Sequence, residues 1–123
     1  MSWIAVALGG ALGACARFGL GNLLPPLLGM STAWATFAIN LVGSFLIGAA
    51  VTVLVEQGAP EPLRFFAVTG FLGAFTTYSA FSLDTLSLLQ QGNYNGAIVL
   101  AAATLCLCLA ATFCGYHVMK TLF

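Results

Sequence analysis

The residues with the most chemical character in this chain lie together in Gly70-Phe-Leu-Gly-Ala-Phe-Thr-Thr-Tyr-Ser-Ala-Phe-Ser82. Two glycines followed by Thr76, Thr77 and Ser79 make poor helix, since glycine is too free and short hydroxyl side chains compete for backbone hydrogen bonds. A helix broken in mid-membrane leaves carbonyls and amides that lipid cannot satisfy. Such breaks persist only where they are buried in protein or line a path for ions or water. The ordinary alternative is a continuous helix whose hydroxyls bond back to the preceding turn. The density of glycine and hydroxyl together favours a functional break.

Other polar side chains fall at helical spacing. Asn40 and Ser44 are four apart with Gly43 beside them, which gives one helix a narrow polar face. An asparagine amide in lipid needs a partner; read alone, Asn40 fits structural glue between helices as well as an ion path. Thr104, Cys108 and Thr112 recur at i, i+4 and i+8. This hydroxyl–thiol stripe, taken by itself, is more often bonded to its own helix than to a ligand. Tyr78 and Phe81 are three apart and share a face, a pattern more common in cores than in ligand sites.

What is missing narrows the chemistry. No Asp, Glu, Lys or Arg occurs between residues 18 and 55 or between 85 and 119. A proton-coupled exporter needs an intramembrane carboxylate, and Asp84 is the sole candidate, equally suited to the interface. His117 reads as interfacial or packed, and Arg17 can snorkel to headgroups. The interior is polar but uncharged. Aromatic ring edges carry the positive part of the ring quadrupole, so such a lining can receive a small anion without fixed cations.

The elements that position these residues follow from the charge spacing. The chain has 123 residues, 61% apolar and 5% charged, with zero net charge. Soluble domains carry about a quarter charged residues, so this is an all-α membrane protein rather than a soluble one. Spanning helices need about 20 mostly apolar residues. Four are expected, over roughly 3–24, 33–55, 63–89 and 97–119, in one membrane domain. Pro25-Pro26 should close the first, Ser31 or Thr32 should cap the second, and residues 92–96 should form a turn. Gly9-x-x-x-Gly13 and the pair Gly43 and Gly48 mark close helix contacts.

Composition removes other classes. Three basic residues cannot build a nucleic-acid patch. The four cysteines, Cys15, Cys106, Cys108 and Cys114, lie in apolar stretches without C-x-x-C spacing and read as packing residues. The N-terminus lacks the basic region and small-residue site of a cleaved signal.

Arg17 after a glycine-rich first helix, Asn40 in the second, Gly73-Ala-Phe-Thr-Thr-Tyr-Ser-Ala-Phe81, and the G-N-Y turn at 92–94 together resemble the Fluc/CrcB fluoride channels of microorganisms. The resemblance covers the whole chain and implies a channel, not an enzyme, in the cell (inner or plasma) membrane. It implies passive fluoride export by an antiparallel, dual-topology homodimer whose third helix is broken. It implies that fluoride meets the ring edges of Tyr78 and Phe81, then Asn40, Ser79, Cys108 and Thr112. It also implies a structural sodium ion at the dimer centre, on the carbonyls of Gly73 and Thr76. The chain departs from the family pattern at Tyr78, usually phenylalanine, at Gly73-Ala74, often Gly-Gly, and at Cys108, usually a hydroxyl.

A small dual-topology multidrug exporter is the main rival. It calls for a carboxylate in the first helix, and residues 1–24 contain none. A structural subunit of a larger complex leaves the polar stripes unexplained. With four spans, Arg64 and Lys120 fall on one side and Arg17 toward the other, too small a bias to fix one orientation.

Overall fold

A computed structural model describes residues 1–123. Its order is α1 (Ser2–Leu28), α2 (Thr32–Ala50) continuing as a π-helix (Val51–Glu56), α3 (Glu61–Arg64) continuing as a π-helix (Phe65–Leu72), α4 (Gly73–Phe75), α5 (Tyr78–Gln90) and α6 (Tyr94–Leu122). These make four helical spans long and apolar enough to cross a membrane: Ser2–Leu28, Thr32–Glu56, Glu61–Gln90 and Tyr94–Leu122. Within lipid the backbone must satisfy itself, and helices do so within one segment. This is an all-helical, multi-pass membrane protein.

Pro25-Pro26 does not close the first helix. Both prolines lie inside α1, which runs to Leu28 and ends at Gly29 in the left-handed conformation, φ 65°. Proline's fixed φ suits the helix; its cost is a missing amide donor for the carbonyl four residues back. Here those carbonyls belong to Gly21 and Asn22, and both residues border a small polar cavity rather than a packed core. The helix therefore tolerates both prolines in its final turns. At the other turn Gly92 takes φ 75°, and Asn93 caps α6 by accepting the Gly96 amide at 2.9 Å. That cap starts the helix at Tyr94 rather than Ala97.

The spans pack in two layers of contact. α1 lies along the third span, and α2 lies along α6. Glycines set both distances. A Cβ on Gly9 would strike the Phe66 carbonyl, and one on Gly13 the Phe71 carbonyl. In the other pair a Cβ on Gly48 would strike the Thr112 carbonyl, and one on Gly115 the Phe45 carbonyl. Backbone meets backbone, which is how helices gain dispersion contact where lipid removes the hydrophobic drive.

Few side chains are enclosed. Only 16 of 123 residues are buried, while Leu8, Phe18, Leu105 and Phe113 point outward; these outer surfaces are fit for lipid or for a second chain. At one edge a polar cluster ties α2's π-helical end to α6. Tyr116 donates to the Glu56 carboxylate at 2.8 Å, and Lys120 donates to the Tyr116 hydroxyl at 2.9 Å.

Candidate functional site

Helical geometry stops between α4 and α5. Thr76 has φ −85° and ψ 153°, and Thr77 has φ −150° and ψ 123°. Two extended residues thus sit in the middle of the third span, and their polar groups need partners. Other helices supply them.

Asn40 on α2 meets Thr77 twice. Its Nδ2 donates to the Thr77 carbonyl at 3.0 Å, and its Oδ1 accepts the Thr77 amide at 2.8 Å. Arg17 on α1 donates through Nε to the Ala74 carbonyl at 3.0 Å. Thr77 then caps α5, its Oγ1 accepting the Ala80 amide at 3.2 Å. Thr76 bonds back to the Leu72 carbonyl through its hydroxyl at 3.0 Å. Gly43 on α2 lets Thr76 approach, because a Cβ there would collide with the Thr76 methyl. The interruption is held from both sides.

These bonds have a second effect. In a continuous helix the Thr77 amide would bond the Gly73 carbonyl, and the Ala80 amide the Thr76 carbonyl. Here Asn40 takes the first donor and Thr77 Oγ1 takes the second. The carbonyls of Gly73 and Thr76 are therefore relieved of their usual helical donors.

Beside the interruption lies a cleft of about 460 Å³, bordered by α2, α5 and α6. Asn40, Tyr78, Phe81 and Cys108 all line it, so four of the six residues expected on an ion path come together. Tyr78 and Phe81 meet edge to face, with ring centroids 5.4 Å apart at 67°. Tyr78 is 79% exposed and stands at the open edge. Asn40 is buried.

The other two lie outside this lining. Ser79 is exposed, with its hydroxyl 3.3 Å from Thr77 Oγ1. Thr112 donates to the Cys108 carbonyl at 3.1 Å, and its own carbonyl faces Gly48. Its hydroxyl hydrogen is already committed to its own helix.

Three polar residues not counted as site residues from the sequence belong to the cleft: Ser44, Thr77 and Thr104. Thr104 is the most telling, since its buried Oγ1 has no hydrogen-bond partner. The signal was present in its i, i+4 spacing to Cys108. A second cavity of about 200 Å³ includes Arg17, Asn22, Thr36 and Thr77. Thr77 borders both cavities.

The arrangement offers hydroxyls, an amide, a thiol and ring edges around a space free of fixed charge. Residues 4–116 match the family model described as CrcB-like protein, Camphor Resistance (CrcB). The chain belongs to the CrcB family. Within it, the chain is similar to the protein named fluoride-specific ion channel FluC of Aeromonas salmonicida, 41% identical over 121 residues, covering 98% of this chain and 97% of that one. A FluC protein of Thermus thermophilus is 43% identical, covering 94% and 92%. That of Magnetococcus marinus is 41% identical, covering 89% and 90%. Both features of the site, the clamped interruption and the uncharged cleft, fall inside the matched residues.

Proposed function

We propose that this chain is a fluoride-selective channel that lets fluoride leave the cell passively. The observation that carries this reading is the cleft itself: Asn40, Tyr78, Phe81, Thr104 and Cys108 converge beside a helix interruption without one charged side chain in the lining. Family membership and the relatives' names support it.

Fluoride is small and strongly hydrated, so a pore must replace water's hydrogen bonds at close range. Asn40 uses one amide hydrogen on Thr77 and keeps a second for an anion. The ring edges of Tyr78 and Phe81 offer positive potential at the outer end, with Ser79 just outside them. The Thr104 hydroxyl and the weaker Cys108 thiol continue the path along α6. Thr112 comes last, because its hydroxyl already has an acceptor.

Two copies of the chain in opposite orientation would form the working unit, with the interrupted third spans at its centre. The outward apolar surfaces and the near-balanced basic residues are consistent with that assembly. A structural sodium ion fits the Gly73 and Thr76 carbonyls, since their helical donors are diverted and hard cations take oxygen ligands. No group of three His, Cys, Asp or Glu side chains assembles elsewhere. When bound, the ion would add to the positive potential that Arg17 brings to the interruption. Asn40 and Arg17, for their part, keep the backbone of the interruption in place.

Purified protein in liposomes tests the function. A fluoride electrode should record rapid fluoride efflux with chloride retained. No efflux, or an equal chloride leak, overturns the reading.

A further inference from the structure

The chain's six charged side chains can be accounted for one by one. Arg17 holds the Ala74 carbonyl, Glu56 and Lys120 meet through Tyr116, and Glu61 is exposed. Arg64 and Asp84 remain. Both are only partly exposed, and Arg64 Nε and Asp84 Oδ2 are buried without any hydrogen-bond partner. A charge withdrawn from water in an apolar setting calls for an opposite charge. Within one protomer these two cannot serve each other, because they stand near opposite ends of the same span, Glu61–Gln90.

Their positions are symmetric. Arg64 is ten residues before Ala74 and Asp84 ten residues after it. Ala74 lies at the interruption, between the two relieved carbonyls. A two-fold axis crossing the span at that level exchanges its ends, and an isologous contact repeats every pairing twice. It brings the Arg64 end of one chain alongside the Asp84 end of the other, and the long arginine side chain spans the difference in rise between the π-helical half and the half with two extended residues. Apolar side chains stand uncovered beside both charges: Leu63, next to Arg64, and Leu83, next to Asp84, are exposed in the protomer. Each end of the span thus presents an uncovered leucine next to a charge without a partner, of opposite sign at the two ends.

We propose that two antiparallel copies of this chain are held in register by two symmetric ion pairs, Arg64 of each chain with Asp84 of the partner subunit. The occupant of this face is a second copy of the chain, and the complementarity of its two ends selects the inverted orientation over the parallel one. In a parallel pair Arg64 would meet Arg64. This inference rests on the antiparallel assembly proposed above and adds the contact that would specify it.

Charge reversal tests the pairing. Arg64→Asp and Asp84→Arg should each weaken the dimer at least tenfold, read as the dimer fraction on dilution into lipid vesicles. When the two single variants carry different tags and are expressed together, every contact in the mixed dimer regains opposite charges. Mixed dimers should then exceed the one-half expected from random pairing. Neutral variants guard against misfolding: Arg64→Gln and Asp84→Asn should each weaken the dimer, and the double variant should be no weaker than either single one. Random mixing, or additive losses in the neutral pair, would overturn the ion pairs. Protease access to a C-terminal tag in vesicles prepared directly from the expressing cells' membranes, where reconstitution does not randomise orientation, separates the two levels. Cleavage of half the tags with random mixing removes the ion pairs alone; uniform access removes the antiparallel assembly.

Discussion

The third span has two very different neighbours. Toward α1 it is closed, with Gly9 and Gly13 seated on the carbonyls of Phe66 and Phe71, and Gly70 against the backbone around Val6 and Gly10. Toward α2 and α6 it is open, and a cleft of about 460 Å³ is bridged by Asn40. The first contact is carbon against backbone and leaves no room; the second is polar and leaves room for an ion. Together they show how a membrane helix can carry an irregular turn. One side fixes its position by close packing, and the other satisfies its freed backbone groups with a side chain. Neither side could do both.

Breaking the closed side should have the larger effect. Gly13→Leu places a side chain where the Phe71 carbonyl now lies. Overpacking costs about 1–3 kcal/mol when side chains can shift, and here the obstacle is backbone. Loss of folded protein, seen as aggregation on size-exclusion chromatography, is expected; a monodisperse variant with normal thermal stability would contradict this packing.

On the open side, Asn40→Asp keeps an acceptor for the Thr77 amide but turns a carboxylate oxygen toward the Thr77 carbonyl. A buried acceptor deprived of its donor costs about 1–3 kcal/mol, and the added negative charge opposes an anion. Fluoride flux should fall at least about tenfold while the protein stays folded. Phe81→Ile removes one edge of the Tyr78–Phe81 pair and should lower flux less in the same liposome assay. Wild-type flux in both variants would refute the assignment.

The smallest differences lie along α6. Thr104→Val deletes a buried hydroxyl that has no partner, so thermal stability should rise while flux drops. Thr112→Val deletes a hydroxyl bonded only to its own helix, and flux should stay within about twofold of wild type. The reverse order would place the anion deeper along the helix than the cleft extends.

The sequence made the four spans legible because charge is costly in lipid and the six charges leave long uncharged runs between them, although Arg17 falls well inside the first span and is spent on the Ala74 carbonyl. It also pointed to residues 70–82, since glycine and hydroxyls concentrate nowhere else so densely. Asn40 could be seen as a residue in need of a partner, but not that its partner is the Thr77 backbone, thirty-seven positions away. Periodicity placed Thr104, Cys108 and Thr112 on one stripe; it could not say which hydroxyl is spent on the helix, because that depends on where the neighbouring helix opens. Pro25-Pro26 misled because a proline's effect depends on what surrounds the carbonyls it strands, and here that is the border of a cavity rather than a packed core.

The π-helix at Phe65–Leu72 has a consequence for how this chain tolerates change in length. A π turn closes its bonds one residue later than an α turn, so the segment takes up an extra residue while both its ends stay in place. Removing one residue there would let the turn revert to α geometry, with Ala74 still at Arg17 and Thr77 still at Asn40. The same deletion in α5, which has no such slack, would turn every residue beyond it by about 100°. A one-residue gap between related sequences is therefore harmless or disruptive according to which half of the third span it falls in.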